Sequence, residues 1–167
     1  MGPTCSGKST LAARLAEHYG VPHVELDALH WGPNWSEASV EEFRDRVEAA
    51  LPETGWVVDG NYGGKLGDLV LGQVDLVVWL DLPLHTILGR LWTRTLRRIR
   101  HEEDLWGSNR ETWRGAFLSR DSLFAWALKT HRRRRRELPP RLEHVPSVRL
   151  RSAREADAWL ERELANF

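Results

Sequence analysis

The first ten residues, Met1-Gly2-Pro3-Thr4-Cys5-Ser6-Gly7-Lys8-Ser9-Thr10, carry the spacing G-x-x-x-x-G-K-S. With each residue type at roughly 5 to 10% abundance, a chance match is on the order of 10⁻⁵ per position. This is the spacing of a phosphate-binding loop, and the chemistry asks for these residue types. Gly2 and Gly7 let the backbone fold tightly enough for successive N–H groups, from Thr4 through Thr10, to point at phosphate oxygens. Lys8 reaches the β and γ phosphates, and the Ser9 hydroxyl is a ligand for Mg²⁺. A helix has to begin at once, adding its positive amino end to the same anion site.

The chain has 167 residues, 24 basic and 24 acidic, with 41% hydrophobic residues and a mean hydropathy of −0.48. That length predicts one domain, residues 1–167, with a real core. The longest apolar run, Leu76 to Leu80, is too short to span a bilayer, so no membrane partner is expected. One cysteine excludes an internal disulfide framework, and no charged start followed by an apolar stretch precedes it. A cytoplasmic location is expected. Zero net charge argues against a globally basic nucleic-acid coat.

Apolar positions Leu11, Ala12, Leu15 and Tyr19 predict a helix from Ser9 to Tyr19, stopped by Gly20 and Pro22. Pro22 to Asp27 reads as a short strand, and Ala28 to Trp35 as a loop. Ser39 and Glu42 have capping-box spacing before a helix carrying Val40, Phe43, Val47 and Leu51. Trp56 to Asp59 and Leu76 to Asp81 are buried-strand patterns. A helix follows Pro83 through Leu88, Leu91, Leu96 and Ile99, then a lid-like insert at about 97–120. Asp121 to Glu137 predicts a helix ending before Pro139-Pro140, Ser147 to Leu150 a strand, and Ala153 to Leu164 a closing helix. Strands alternating with helices imply an α/β fold with a parallel sheet covered on both sides and ligands at the carboxyl ends of its strands.

The candidate site residues follow from that placement. Asp59 closes a strand before Gly60 and is expected to hold Mg²⁺ with Ser9; the alternative is a carboxylate that caps a strand end. Asp27 is expected to take the proton of an attacking hydroxyl or to position the acceptor, with the same capping alternative. Asp81 is read as a cap for the helix after Pro83. Arg90 and Arg94 share one helix face, where they neutralise a transferring phosphoryl group or simply face water. Arg98, Arg110 and Arg114 of the insert are expected to clamp nucleotide on closure, with solvated surface residues as the other reading. His30, Trp31 and Trp35 form an aromatic loop that suits a flat acceptor or the core. The run Arg132 to Arg136 offers a DNA contact, with a solvated, partly lid-facing helix as the other reading. The histidines show no zinc-ligand spacing.

The residues resemble the small P-loop kinases of the adenylate-kinase-like class, and within it the bacterial DNA topology modulation proteins. The resemblance rests on Gly2 to Thr10, Glu25 to Trp31, Trp56 to Tyr62 and Trp106 to Glu111. It implies a three-layer P-loop NTPase fold, ATP and Mg²⁺ as cofactors, and an ATP-dependent phosphotransferase with Asp59 as its Walker B carboxylate. It also implies Arg90 with Arg94 as a phosphate-binding pair. Adenylate kinases carry an arginine shortly after the Asp-Gly pair, whereas Asn61, Tyr62, Gly63 and Gly64 stand here, so the acceptor stays unidentified and Asn61 and Tyr62 become candidate acceptor residues. The alternative function is a nucleotide-binding regulator of DNA topology with little or no kinase activity. Because Gly2 follows directly on Met1, the fold is expected to lack its first strand, which in that arrangement is central. The natural chain is accordingly expected to start roughly 5 to 10 residues upstream, one strand length.

Overall fold

The computed structural model describes residues 1–106, 109 and 122–165. Helix α1 (Lys8–Tyr19) starts at Gly7, which holds φ 97°, a left-handed conformation open to glycine at little cost. It is followed by β1 (His23–Glu25), the short α2 (Leu26–His30), a 3₁₀ turn at Pro33–Trp35, and α3 (Val40–Ala50). Ser39 caps α3 as its spacing predicts, its Oγ accepting from the Glu42 amide at 3.1 Å. Then come β2 (Val57–Asp59), α4 (Gly63–Leu66), α5 (Asp68–Leu71), β3 (Val77–Leu80), α6 (Leu84–Arg100), α7 (Leu123–Arg141), β4 (Ser147–Leu150) and α8 (Ala153–Ala165).

Three expectations need correction. The strand at residues 22–27 ends at Glu25, and Asp27 lies in the first turn of α2. Helix α7 does not stop before the prolines but runs through Pro139 and Pro140 to Arg141. Leu138 and Leu142 both pack on Leu71, Val77 and Trp79, so burial carries the last turn past two residues that donate no backbone hydrogen bond. Asp81 caps nothing: Pro83 stands at the amino end of α6, while Asp81, buried at 4% exposure, bonds Arg135 at 2.7 Å and Arg149 at 2.6 Å. The Arg149 guanidinium also covers the Trp79 ring at 4.2 Å.

The strands form two parallel pairs. β1 pairs with β2, Glu25 opposite Asp59, and β3 with β4, Trp79 opposite Arg149. Both pairs are covered on two faces, which explains their unbroken apolar runs. Val57, Val78 and Leu80 pack with Leu15 of α1 and Trp159 of α8. Val58 joins Leu26, Phe43, Val47 and Leu66, and Val77 with Trp79 joins Leu138 of α7. Among the described residues no strand lies between β2 and β3. Met1 alone reaches in: its amino group donates to Val78 O at 2.6 Å, and the Leu80 amide donates to Met1 O at 2.9 Å. Burial and the charge of Lys8 pull that amine down to about 5, so it sits there neutral at pH 7.

Behind Met1 lies a cavity of about 750 Å³ walled in part by β2 and β3, one strand of each pair. As a dry void at about 24 cal/mol per Å³, a volume near 750 Å³ would cost about 18 kcal/mol, above the roughly 5–15 kcal/mol that holds a domain together. This is a volume that water or polypeptide fills.

Candidate phosphate-binding site

The loop from Gly2 to Gly7 folds back over the start of α1. Gly2 is required there, since a Cβ would stand 2.7 Å from Leu80 O and 2.8 Å from Ser6 Oγ. Cys5 takes φ 57°, a left-handed turn unusual for a residue with a side chain, and strain of this kind concentrates at ligand sites. The Asn61 side-chain amide clamps the loop entry, accepting from the Gly2 amide at 3.0 Å and donating to Gly2 O at 2.6 Å. Arg90 Nη1 donates to Ser6 O at 3.1 Å, and Lys8 Nζ to Pro3 O at 3.2 Å.

A cleft of about 560 Å³ opens at this point, lined by Thr4, Cys5, Gly7, Lys8, Ser9 and Thr10 from the loop and helix start. Across it stand Glu25, Asp27, Arg90, Thr93, Arg94, Arg97, Arg98 and Trp106. Four arginines on one face of α6 therefore converge on the loop, as residues spaced by three and four must. Burial pulls the Lys8 ammonium below the usual lysine range, opposed by the carboxylates of Asp59 and Asp27.

The carboxylates divide in their roles. Asp27 faces the cleft and accepts from Tyr62 OH at 2.6 Å; burial and that carboxylate raise the Tyr62 pKa, so the phenol stays a donor. Asp59 does not line the cleft. It is 5% exposed, lies behind Lys8 on the wall of the larger cavity, and sits 3.0 Å from His23 Nε2. Gly60 follows it because a Cβ there would stand 2.7 Å from Leu26 Cβ. His23, Glu25 and Asp59 bring a ring nitrogen and two carboxylate oxygens within 4.8 Å of one another, a donor set that could hold a divalent cation. Glu25 extends from that group into the cleft, where Trp106 Nε1 donates to it at 3.2 Å.

The aromatic loop stands apart. His30 is buried at 2% among Phe43, Tyr62 and Trp31, with ring centres 4.7 to 4.9 Å away. Trp31 and Trp35 meet edge to face at 5.7 Å, and Trp35 is 40% exposed. None of the three lines the cleft. Asn109 ties this loop to the insert, accepting from the Trp35 amide at 2.8 Å and donating to Gly32 O at 2.9 Å. Arg98 is a residue of α6 beside Glu103 at 3.7 Å, whereas Arg110 and Arg114 lie outside the described residues.

His23, Glu25 and Arg134 stand out only in the structure. The first two are two residues apart on a strand and so share a face with Asp59 opposite Glu25, a signal available once the strand pairing is known. Arg134 was hidden in a run of five. Its guanidinium covers Trp126 at 4.7 Å, and its charge acts on both Lys8 and Asp27. Burial and neighbouring Arg133 hold its pKa down at about 10, and its Nη1 is buried without a hydrogen-bond partner among the described residues. Arg134 lines neither the cleft nor the larger cavity, so its charge reaches the loop lysine from outside the cleft wall.

No family model matches the chain. It is 32% identical over 101 residues to a cytidylate kinase of Pyrococcus horikoshii, covering 53% of this chain and 52% of that protein. A second cytidylate kinase, from Methylobacterium sp. (strain 4-46), is 59% identical over 29 residues, 17% of this chain and 14% of its own length. The chain thus spans about half of one curated relative and a seventh of the other. This weak homology supports a P-loop kinase-like class, with which the mixed α/β architecture and its small parallel sheets agree. It does not extend to the DNA topology modulation proteins. No helix among the described residues is long and apolar enough to cross a membrane.

Proposed function

We propose that the chain is an ATP- and Mg²⁺-dependent phosphotransferase of nucleotide-kinase type, with a single three-layer domain and a lid-like insert at about residues 97–120. The observation that carries this is the cleft in which Lys8, Ser9 and Thr10 oppose Arg90, Arg94, Arg97 and Arg98. Phosphoryl transfer needs little covalent help from a protein; it needs position and positive charge around the transferring group. The Gly2–Thr10 backbone and Lys8 would hold the triphosphate, and the α6 arginines would gather the charge that spreads in the transition state. ATP supplies the phosphoryl group. Ser9, with Asp59 and Glu25, would hold Mg²⁺.

Asp27 is the residue placed to accept the acceptor's proton, since it faces the cleft with its orientation set by Tyr62. Trp35, 40% exposed on the loop after α2, would border the acceptor side, whereas His30 packs against Phe43 and Tyr62 in the core. Because the curated relatives are named cytidylate kinases, cytidine monophosphate is the first acceptor to try.

The test is ATP consumption with Mg²⁺ against a panel of nucleoside monophosphates, nucleosides and small metabolites. Acceptor-dependent turnover that disappears in Lys8→Ala supports the proposal. Salt-dependent DNA binding with no transfer to any acceptor would move the chain to the regulator class. The arginine run offers limited material for that outcome: Arg135 bonds Asp81, Arg134 stacks on Trp126, and Arg133 lies 3.6 Å from Glu137.

A further inference from the structure

His23 and Glu25 are two residues apart on β1, so their side chains leave the same face of the sheet, while Val24 between them turns to the other side and is buried. Parallel pairing sets Asp59 of β2 opposite Glu25, on that face as well. One ring nitrogen and two carboxylate oxygens thereby come within 4.8 Å of one another. His23 Nε2 and Asp59 Oδ2 stand 3.0 Å apart. Two ligands each about 2.1 Å from one ion, at angles of about 90–110°, are separated by about 3.0–3.4 Å, so this edge of a coordination shell is already in place.

The charges point the same way. Asp59 is buried, and buried carboxylates are paired with cations or hold metals. Among the described residues neither Asp59 nor Glu25 forms an ion pair with a lysine or arginine, and the nearby Lys8 Nζ donates to Pro3 O instead. A hydrogen bond to His23 serves Asp59 alone; it leaves the Glu25 carboxylate facing a like charge, which a shared cation would relieve. The surroundings supply the other requirements of a metal site. Trp106 Nε1 donates to Glu25 Oε2 at 3.2 Å and so orients that carboxylate from outside the donor set. Glu25 also lines the cleft, which gives an ion its way in.

We propose that His23, Glu25 and Asp59 form a transition-metal site that takes an ion such as Zn²⁺ without any nucleotide, with Mg²⁺ the weaker occupant of the same carboxylates. The histidine decides the preference. Mg²⁺ is held by oxygen ligands and gives up its waters reluctantly, whereas an imidazole nitrogen suits zinc and its first-row neighbours. Three protein ligands leave a tetrahedral ion one position for water or a phosphate oxygen. The proposal deepens the phosphotransferase reading at two of its residues, Glu25 and Asp59, and adds His23; metal binding itself does not rest on phosphoryl transfer.

The experiment titrates the chelator-stripped chain with Zn²⁺ and, separately, with Mg²⁺, both without nucleotide, by calorimetry. One Zn²⁺ per chain should bind at least about 100-fold more tightly than Mg²⁺. His23→Gln and Glu25→Gln should each weaken Zn²⁺ by about 100-fold or more, with the exposed His85→Gln binding as the parent does. Long-range ¹H–¹⁵N spectra of the parent read the His23 ring directly: Zn²⁺ should shift its Nε2 resonance, which a purely structural bond to Asp59 would not do, and this measurement needs no variant to fold. An unmoved His23 resonance at saturating Zn²⁺ would overturn the proposal. So would Zn²⁺ affinity unchanged in a folded His23→Gln protein, or Mg²⁺ binding as tight as Zn²⁺. A chain that transfers phosphate with Mg²⁺ yet fails to bind Zn²⁺ refutes this site and leaves the phosphotransferase reading standing; one that binds Zn²⁺ through His23 and transfers nothing supports the site and refutes that reading.

Discussion

Asn61→Ala distinguishes a residue that touches the acceptor from one that holds the phosphate loop in place. In the structure its amide makes two hydrogen bonds, both to the backbone of buried Gly2. Truncation removes both and leaves the N–H and C=O of Gly2 without these partners; at about 1 kcal/mol per lost bond, and up to about 3 for a stranded group, the loss is roughly 2–4 kcal/mol. For a chain of this size each kcal/mol is worth roughly 2–4 °C, so the melting temperature should fall by roughly 5–15 °C. Asn61→Asp should be no better, because it sets a carboxylate oxygen against Gly2 O in place of a donor. The assay is thermal unfolding followed by circular dichroism, with ATP affinity by calorimetry and steady-state kinetics on the same samples. ATP binding should weaken because the entry to the loop loosens, and the acceptor KM should rise no more than that of ATP. An unchanged melting temperature together with an acceptor KM raised about tenfold would refute this and return Asn61 to the acceptor site.

Lys8→Ala should lower kcat by about 10²–10³-fold or more and weaken ATP binding, measured by initial rates and calorimetry on protein whose circular dichroism matches the parent. Arg134→Met should lower the transfer rate by about tenfold or more with little change in stability, because the methionine keeps the packing on Trp126 while removing a cation whose charge acts on Lys8; an unchanged rate would make Arg134 structural. His30 supplies a pH signature. Burial, with Lys65 next, depresses its pKa below the ordinary 6.5, so the unfolded chain binds the extra proton and stability present above pH 6.5 is lost as pH falls through and below that value. Urea midpoints measured between about pH 8 and 5 should decline less steeply in His30→Phe than in the parent.

What was legible in the sequence is local. The G-x-x-x-x-G-K-S spacing, the helix expected from Ser9 and found from Lys8, the Ser39 cap and the strand expected over Leu76 to Asp81 and found at Val77–Leu80 are set by contacts a few residues apart, so neighbouring residue types suffice to find them. That Arg90 and Arg94 share one face of α6 was legible for the same reason, while only the fold decides that this face lines the cleft with the loop.

The rest depends on which segments meet. Nothing near Asp81 in the chain announces Arg135 and Arg149, which are 54 and 68 residues away, and a buried carboxylate takes its partners from whatever the fold brings to it. Among five consecutive arginines only packing decides that Arg134 covers Trp126 while Arg135 turns toward Asp81. The prolines at 139 and 140 end a helix by local rules, yet Leu138 and Leu142 have a core to join, and apolar burial outweighs two missing N–H donors. Tertiary structure likewise sends Asp59 behind Lys8 beside His23 and draws Asn61 onto Gly2. The sequence by itself determined where the glycine-rich loop and its lysine stand at the head of α1. Which charges surround that loop, and which residues wall the cavity behind it, were decided by pairing between distant segments, because burial and hydrogen bonding are satisfied across the whole fold.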